Sequence, residues 1–421
     1  MNLSKPQLVI VAAAGAVVLI FILIFFGILP GFRTSSSDPT KVKAALNFWG
    51  VNDSADAYAD AFGAMKAVYP NVTITYRGFN NPDEYEAALL DALAANQGPD
   101  IFMIRNTDLL KNKNKIVPAS PAQFSAIQLK QSFPQTVARD FLYQNNVYAL
   151  PLSVDTLALI YNRNLFDQAA VPLPGGWVSW DDFLNAVPKL TKKSANGEIT
   201  QAAAAIGAND LLYLLMLQSG AKMSDSQTGA VSFASNEGTQ ALSFYANIWN
   251  ESMPNSWDAF SQRKTAMIFD YASNLPQIKS RNSFLNFEVA PMPQLKGAAL
   301  AIAYPSYWGY AVSRQSVRQD LAWNFILTMT TNDAAAKGYL QKTQKPPALN
   351  SLIYQYQNDP LLGVFAKQAL VAQSWFQADR KFIDRTIAGM INSVVNSNTQ
   401  PKDALGQAQN QINQFLSQRP F

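Results

Sequence analysis

With 421 residues, 48% apolar and 15% charged, the chain is too long for one ordinary core and too apolar for disorder, so two folded domains are expected. A net charge of +4, spread along the chain, gives nucleic acid little to bind. The complete lack of His and Cys excludes Ser-His and Cys-His nucleophiles, thiolate or imidazole zinc sites, disulfides and lipid anchoring on a cysteine; no metal or cofactor is expected, and any chemistry falls to carboxylates, Lys, Tyr or Ser.

Leu8 to Leu29 is an unbroken apolar run. As a helix it would be roughly 33 Å long, enough for a hydrocarbon core of about 30 Å. No small-x-small cleavage site follows it, so a retained single-pass anchor is expected over a cleaved signal. Charge leaves its orientation open, since Lys5 on one side faces Arg33, Lys41 and Lys43 on the other. Arg33 to Thr40, with three consecutive serines, reads as a tether.

Ala44 to Trp49 reads as a strand, Asp53 to Tyr69 as a helix stopped by Pro70, Val72 to Tyr76 as a strand and Asp83 to Ala95 as a helix. Gly98-Pro99-Asp100 turns into the strand Ile101 to Ile104. This alternation predicts a parallel sheet with helices on its faces, whose ligands bind at the carboxyl ends of the strands. That rim holds Trp49, Gly50, Asn52, Asn106 and Asp108; alternation points Arg105 away from these neighbours and leaves its place at the rim open. Asp53, Asp56 and Asp60 imitate an acidic metal site, but their positions suit a helix start and a solvated face. Lys111 to Lys115 reads as an exposed loop.

The stretch Val147 to Asn162 is apolar except for Asp155. Pro151 ends one strand over Tyr148 to Leu150, and Thr156 to Tyr161 reads as a second, buried one, so the chain crosses between sheets here. Asp155 at that seam is either a backbone cap or a ligand contact. In Trp177 to Leu190, Ser179 caps a helix, and Asp181 with Asp182 explain themselves as helix starters. Asp210 to Leu217 reads as a helix and Ser224 to Phe233 as a hairpin. The strand Thr265 to Phe269 exits at Asp270, Tyr271, Ser273 and Asn274, and Phe287 to Ala290 returns to strand. Tyr304, Tyr307, Trp308 and Tyr310 crowd too closely for one helical core face, so part of this cluster should line a cleft. Leu321 to Met329, Gly363 to Trp375 and two helices over 383–416 complete the reading.

Taken together, Phe48-Trp49-Gly50, Gly98-Pro99-Asp100-Ile101-Phe102, Leu150-Pro-Leu-Ser-Val-Asp155, Ile160-Tyr161-Asn162, Trp180-Asp-Asp-Phe183, Tyr307-Trp308-Gly309 and Gln368 to Trp375 give the chain its family likeness. From about Ala44 to Leu416 it resembles extracellular solute-binding proteins of family one, the substrate receptors of carbohydrate ABC importers, similar to maltose-binding protein. The resemblance implies an α/β, two-lobe periplasmic-binding-protein fold with an interlobe cleft, several crossovers and hinge closure; the N-terminal transmembrane helix expected from the apolar run departs from the family, many of whose members carry a lipid-anchoring cysteine or a cleaved signal. The expected division is 1–30 anchor, 31–43 tether, 44–153 and 286–330 lobe one, 154–285 and 331–421 lobe two. Trp49, Asn52, Asn106 and Asp155 would line the cleft from the first lobe and the crossover. Tyr271, Trp308 and Trp375 would supply aromatic walls, with Asp270 and Tyr307 beside them. It further implies a monomer that performs no chemistry, held at the cell membrane with its bulk outside the cytoplasm, taking a carbohydrate and passing it to permease subunits. Sugars suit such a site, because aromatic rings stack on their C–H faces while Asp and Asn meet their hydroxyls. A non-sugar solute (peptide, polyamine or glycerol phosphodiester) and a glycoside hydrolase using Asp155 with Asp270 are the alternatives.

Overall fold

The computed structural model describes residues 38–418 except 178, 208, 226–227, 251, 255 and 297–299. The expected membrane anchor at 8–29 lies outside the described residues; among those described, no helix is long and apolar enough to cross a membrane. The chain packs as two compact units. The described part of the smaller unit is 38–45 with 65–73, where Asp38 caps the turn Pro39–Lys41 and Asn71 Nδ2 donates to the Thr40 carbonyl at 2.6 Å. The larger unit, Leu46–Ala64 with Ile74–Phe421, contains both sites described below.

Five strands form the first sheet in the order Val72–Phe79, Ala44–Val51, Ile101–Arg105, Trp308–Ser313, Ile116–Val117. Ala44–Val51 pairs parallel with Ile101–Arg105, with Phe48 opposite Ile101 and Trp49 opposite Phe102. Trp308–Ser313 then pairs antiparallel with Ile101–Arg105, setting Trp308 against Arg105. Phe48 is fully buried and meets Tyr58, Tyr310 and Phe325 edge-on, with ring centroids 5.0, 5.7 and 6.0 Å away. The long helix expected over 53–69 is broken, with a 3-10 turn at Ala55–Tyr58 preceding the α-helix Ala59–Val68.

The second sheet runs Met253–Pro254, Ile199–Ile206, Thr265–Asp270, Ala158–Asn162, Phe287–Ala290. Its central strands are buried on both faces, yet the period of two survives within the apolar runs. Leu159, Tyr161, Met267 and Phe269 join the larger core under the helices Trp180–Leu190, Asn209–Gln218 and Arg380–Ser397. Ala158, Ile160 and Ile268 join the smaller core on the opposite face, beneath Leu275–Arg281 and Gly363–Ala369.

The first crossing between sheets needs no strand of its own. Leu150 exchanges backbone hydrogen bonds with Tyr310, Leu152 accepts from Ala348, and Leu157 N–H donates to Tyr304, after which the chain enters the second sheet at Ala158. The expected strand at 148–150 is thus reduced to a single bridge, and Thr156 bridges Pro305 before the second strand begins. Two expected boundaries also move. Phe287–Ala290 belongs to the second sheet, so the return to the first comes after 290, not at 286. Residues 331–343 belong with the first sheet, because Tyr339 packs on Tyr58 at 5.5 Å; the last crossing precedes Leu362, which joins the smaller core of the second.

Candidate functional site

Where these crossings run side by side lies a cavity of about 500 Å³, lined among others by Asn52, Asp155, Tyr271, Tyr307 and Trp308. Each arrives by a different local device. Asn52 follows the strand Ala44–Val51 in the left-handed region (φ 65°), which Asn tolerates better than most residues, and its N–H is held by the Phe79 carbonyl at 2.8 Å. Trp308 opens its strand directly opposite Arg105, and cross-strand partners share a face, so the guanidinium lies 4.3 Å from the indole centroid. Arg105, left open by the sequence, therefore lines the cavity; Met103, two residues earlier, lines it as well. The next residue, Gly309, is there because a Cβ would sit 2.5 Å from the Phe141 ring.

Asp155 is buried and its carboxylate is largely committed to backbone. Oδ1 accepts the N–H groups of Thr156 and Ala272 at 2.9 and 3.0 Å, and Oδ2 accepts that of Ser273 at 2.9 Å. Burial pushes its pKa up to about 6, against the pull of those N–H donors. Of the two sequence readings the hydrogen bonds show the backbone cap, on the turn Ala272–Asn274, and the residue also borders the cavity.

Asp270 does not line this cavity. Its carboxylate accepts Trp257 Nε1, the Tyr271 N–H at 2.8 Å and Asn274 Nδ2 at 2.7 Å, bracing the same turn from the other side. Burial raises its pKa. Tyr271 in turn donates its hydroxyl to Asp210 at 2.7 Å. Burial works against the charge of Arg380 nearby, and Asp210 and Asp384 overcome it, holding that guanidinium above its ordinary pKa.

Asn106 and Trp375 line a second cavity, of about 760 Å³. The two cavities share a wall at buried Asp140, whose Oδ2 accepts the Tyr307 hydroxyl at 2.5 Å and Asn106 Nδ2 at 3.2 Å, while Oδ1 accepts the Ser374 hydroxyl. Burial pushes the Asp140 carboxyl up to about 6. Trp375 is not at the end of a helix as expected: Gly363–Ala369 stops six residues earlier, and the indole packs edge-on to Tyr213 at 5.2 Å. Trp49 lines neither cavity, because its ring is taken by Phe79 at 5.4 Å and by the Arg77 guanidinium at 4.5 Å.

Sequence reasoning missed Lys345, Asn80, Gln277 and Ser306, which also line the first cavity. Lys345 sits in a stretch legible only as a Pro-ended loop, and nothing local marks it as the partner of Asp53. No group of three or more acidic residues suited to a metal occurs among the described residues.

A model of the bacterial extracellular solute-binding proteins matches residues 50–336. The maltotriose-binding protein of Pyrococcus abyssi is 22% identical over 313 residues, 72% of this chain and 66% of that protein. An ABC transporter extracellular-binding protein of Pyrococcus horikoshii is 21% identical over 197 residues, 45% of this chain and 44% of that protein. The chain thus spans less than two thirds of the length of these curated relatives. Among solved structures, the sugar-binding protein MalE from Xanthomonas citri is similar with a TM-score of 0.76 at 18% identity, over 89% of this chain and 98% of that one. The cyclic α-maltosyl-1,6-maltose binding protein from Arthrobacter globiformis reaches 0.76 at 16% identity, over 89% and 99%. These likenesses establish a two-domain α/β fold of the periplasmic-binding-protein type. With that family match spanning more than half its length, the chain belongs to the bacterial extracellular solute-binding proteins.

Proposed function

We propose that this protein is an extracytoplasmic receptor that holds a sugar or oligosaccharide in the groove between its two sheets and hands it, unaltered, to the permease of an ABC importer. The observation that carries the reading is the lining of the first cavity, where Trp308, Tyr271 and Tyr307 stand among Asn52, Asn80, Asn274 and Gln277. Rings offer platforms for the C–H faces of a pyranose, and the amides offer paired donors and acceptors to its hydroxyls. The carboxylates that a hydrolase would need are occupied in bracing a turn, Asp155 by three N–H groups and Asp270 by three donors of its own. That arrangement supports binding without chemistry. Similarity to the maltotriose-binding protein and to two sugar-binding structures supports the ligand class. In the same reading the apolar run 8–29 tethers a monomer beside its transporter, and the crossings near 150–157 and 303–308 form the hinge.

One observation favours a second reading. Arg105 and Lys345 both line the cavity, which suits an acidic solute such as a glycerol phosphodiester and disfavours a polyamine. Titration calorimetry against linear and cyclic maltooligosaccharides, mannotriose and a glycerol phosphodiester tests both. Saturable heat with a saccharide, and an intact saccharide after long incubation, is the expected result; heat with the phosphodiester alone would replace the sugar reading.

A further inference from the structure

An ionic chain runs from the cavity wall to the opposite side of the groove. The Arg105 guanidinium lies over Trp308 at 4.3 Å, and its Nε pairs with Glu86 Oε1 at 3.3 Å. The other oxygen of Glu86 is 3.3 Å from Lys381 Nζ, and Lys381 also meets Asp83 at 2.8 Å. Asp83 and Glu86 stand on the helix Pro82–Ala94, beside the first sheet, whereas Lys381 sits in the first turn of the helix Arg380–Ser397, whose buried face belongs to the larger core of the second. Phe382 stacks on Phe415 at 3.8 Å, which fixes the end of the helix that presents Lys381. The contact holds the Asp83 carboxyl below, and the Lys381 ammonium above, their ordinary pKa ranges.

We propose that Lys381 is a cross-groove latch and a positioning residue for the cavity wall: reaching Asp83 and Glu86, it favours the closed form and orients Arg105 over Trp308 through Glu86. In the open form Glu86 keeps only Arg105, so the latch makes the wall and the closure interdependent. Lys381 and Asp83 are exposed and Glu86 is partly buried, so the contribution of these ion pairs is modest and salt-sensitive. A hinge equilibrium near balance needs no more, because a small bias shifts its populations severalfold. The inference rests on the groove being a hinged binding cleft and is independent of the solute.

The chain has no cysteine, so paired thiol labels can be placed cleanly on the full chain at Ile127 and Phe284, exposed residues beside the first and second sheets. Interlobe distances from double electron–electron resonance should show the closed population falling about three- to fivefold in Lys381→Ala and in Glu86→Gln. The combined variant should fall little further than either one. Asp83→Lys with Lys381→Glu should recover part of the closed population that Lys381→Glu alone loses. Added salt should reproduce the loss in the wild type and leave Lys381→Ala unchanged. Unaltered distances in Lys381→Ala, or strict additivity of the two single variants, would overturn the latch. Maltotriose titrated against the same labelled proteins separates the two ideas, since its failure to bind bears on the sugar reading while the unliganded distances still read the latch.

Discussion

Lys345 Nζ lies 2.5 Å from Asp53 Oδ1, and Tyr339 donates its hydroxyl to the other oxygen of that carboxylate at 2.8 Å. The Asp53 side chain is 2% exposed and that of Lys345 19%, so the pair is nearly removed from water at the edge of the first cavity. Two of the three ammonium protons are spoken for, by Asp53 and by the Tyr339 oxygen at 3.2 Å. Lys345 itself lines that cavity.

Removing the cation leaves a buried carboxylate supported only by tyrosines. Lys345→Met should therefore destabilise the protein by on the order of 2 to 4 kcal/mol, and Lys345→Met with Asp53→Asn by clearly less, because the uncompensated charge is gone. Chemical unfolding of the single and double variants measures the difference. Equal losses would mean the pair is not coupled.

Asp155 separates two roles that were indistinguishable along the chain. As the acceptor for three N–H groups of Thr156, Ala272 and Ser273, it should cost about 2 to 4 kcal/mol when changed to Ala, and less when changed to Asn, which keeps one acceptor oxygen. A variant of undiminished stability that binds no ligand would make Asp155 a ligand contact alone.

Acid should relieve the cost of burying a charge at the wall between the cavities, where three donors only partly offset the desolvation of Asp140. Burial raises the folded-state pKa of Asp140 to about 6, above an unfolded value near 4, so the folded state holds a proton that the unfolded chain has released. The resulting stability is fully present below about pH 4 and is lost as pH rises through about 6. Relative to Asp140→Asn, the wild type should lose on the order of 2 to 3 kcal/mol between pH 4 and pH 7 in unfolding experiments. A difference that stays flat, or grows with pH, contradicts the assignment.

The indoles named from the sequence should divide by function. Trp308 borders the first cavity and Trp375 the second, whereas Trp49 is engaged by Phe79 and Arg77 outside both. Trp308→Ala should weaken saccharide binding roughly ten- to a hundredfold, as loss of a buried aromatic platform does, while Trp49→Ala should leave it within about twofold. Calorimetric titration of the two variants checks this. The reverse order would relocate the site.

Much of this architecture was legible because its signals are local. Pro99 and Asp100 announce the strand Ile101–Arg105, and the apolar run beyond Asp155 announces Ala158–Asn162. The strand Ile199–Ile206 was not legible: four consecutive alanines favour helix in isolation, and only pairing with Thr265–Asp270 on one side and Met253–Pro254 on the other holds them extended. Trp49 went astray for the opposite reason. Its strand was legible, though it runs on to Val51, but the neighbours that claim its ring come from a strand whose register the sequence does not declare. Arg105 is a register problem too, since its face follows from standing opposite Trp308, two hundred residues away. Lys345 and Asp53 are joined only by tertiary folding.

A saccharide held in the cavity at the crossings would rest against Trp308. Calorimetric titration of the wild type and of Trp308→Ala with maltotriose and its longer and cyclic relatives tests it most directly. The wild type should bind at least one of them saturably, and the variant should bind it roughly ten- to a hundredfold more weakly. Binding unaffected by the loss of Trp308, or no heat with any saccharide, would contradict it.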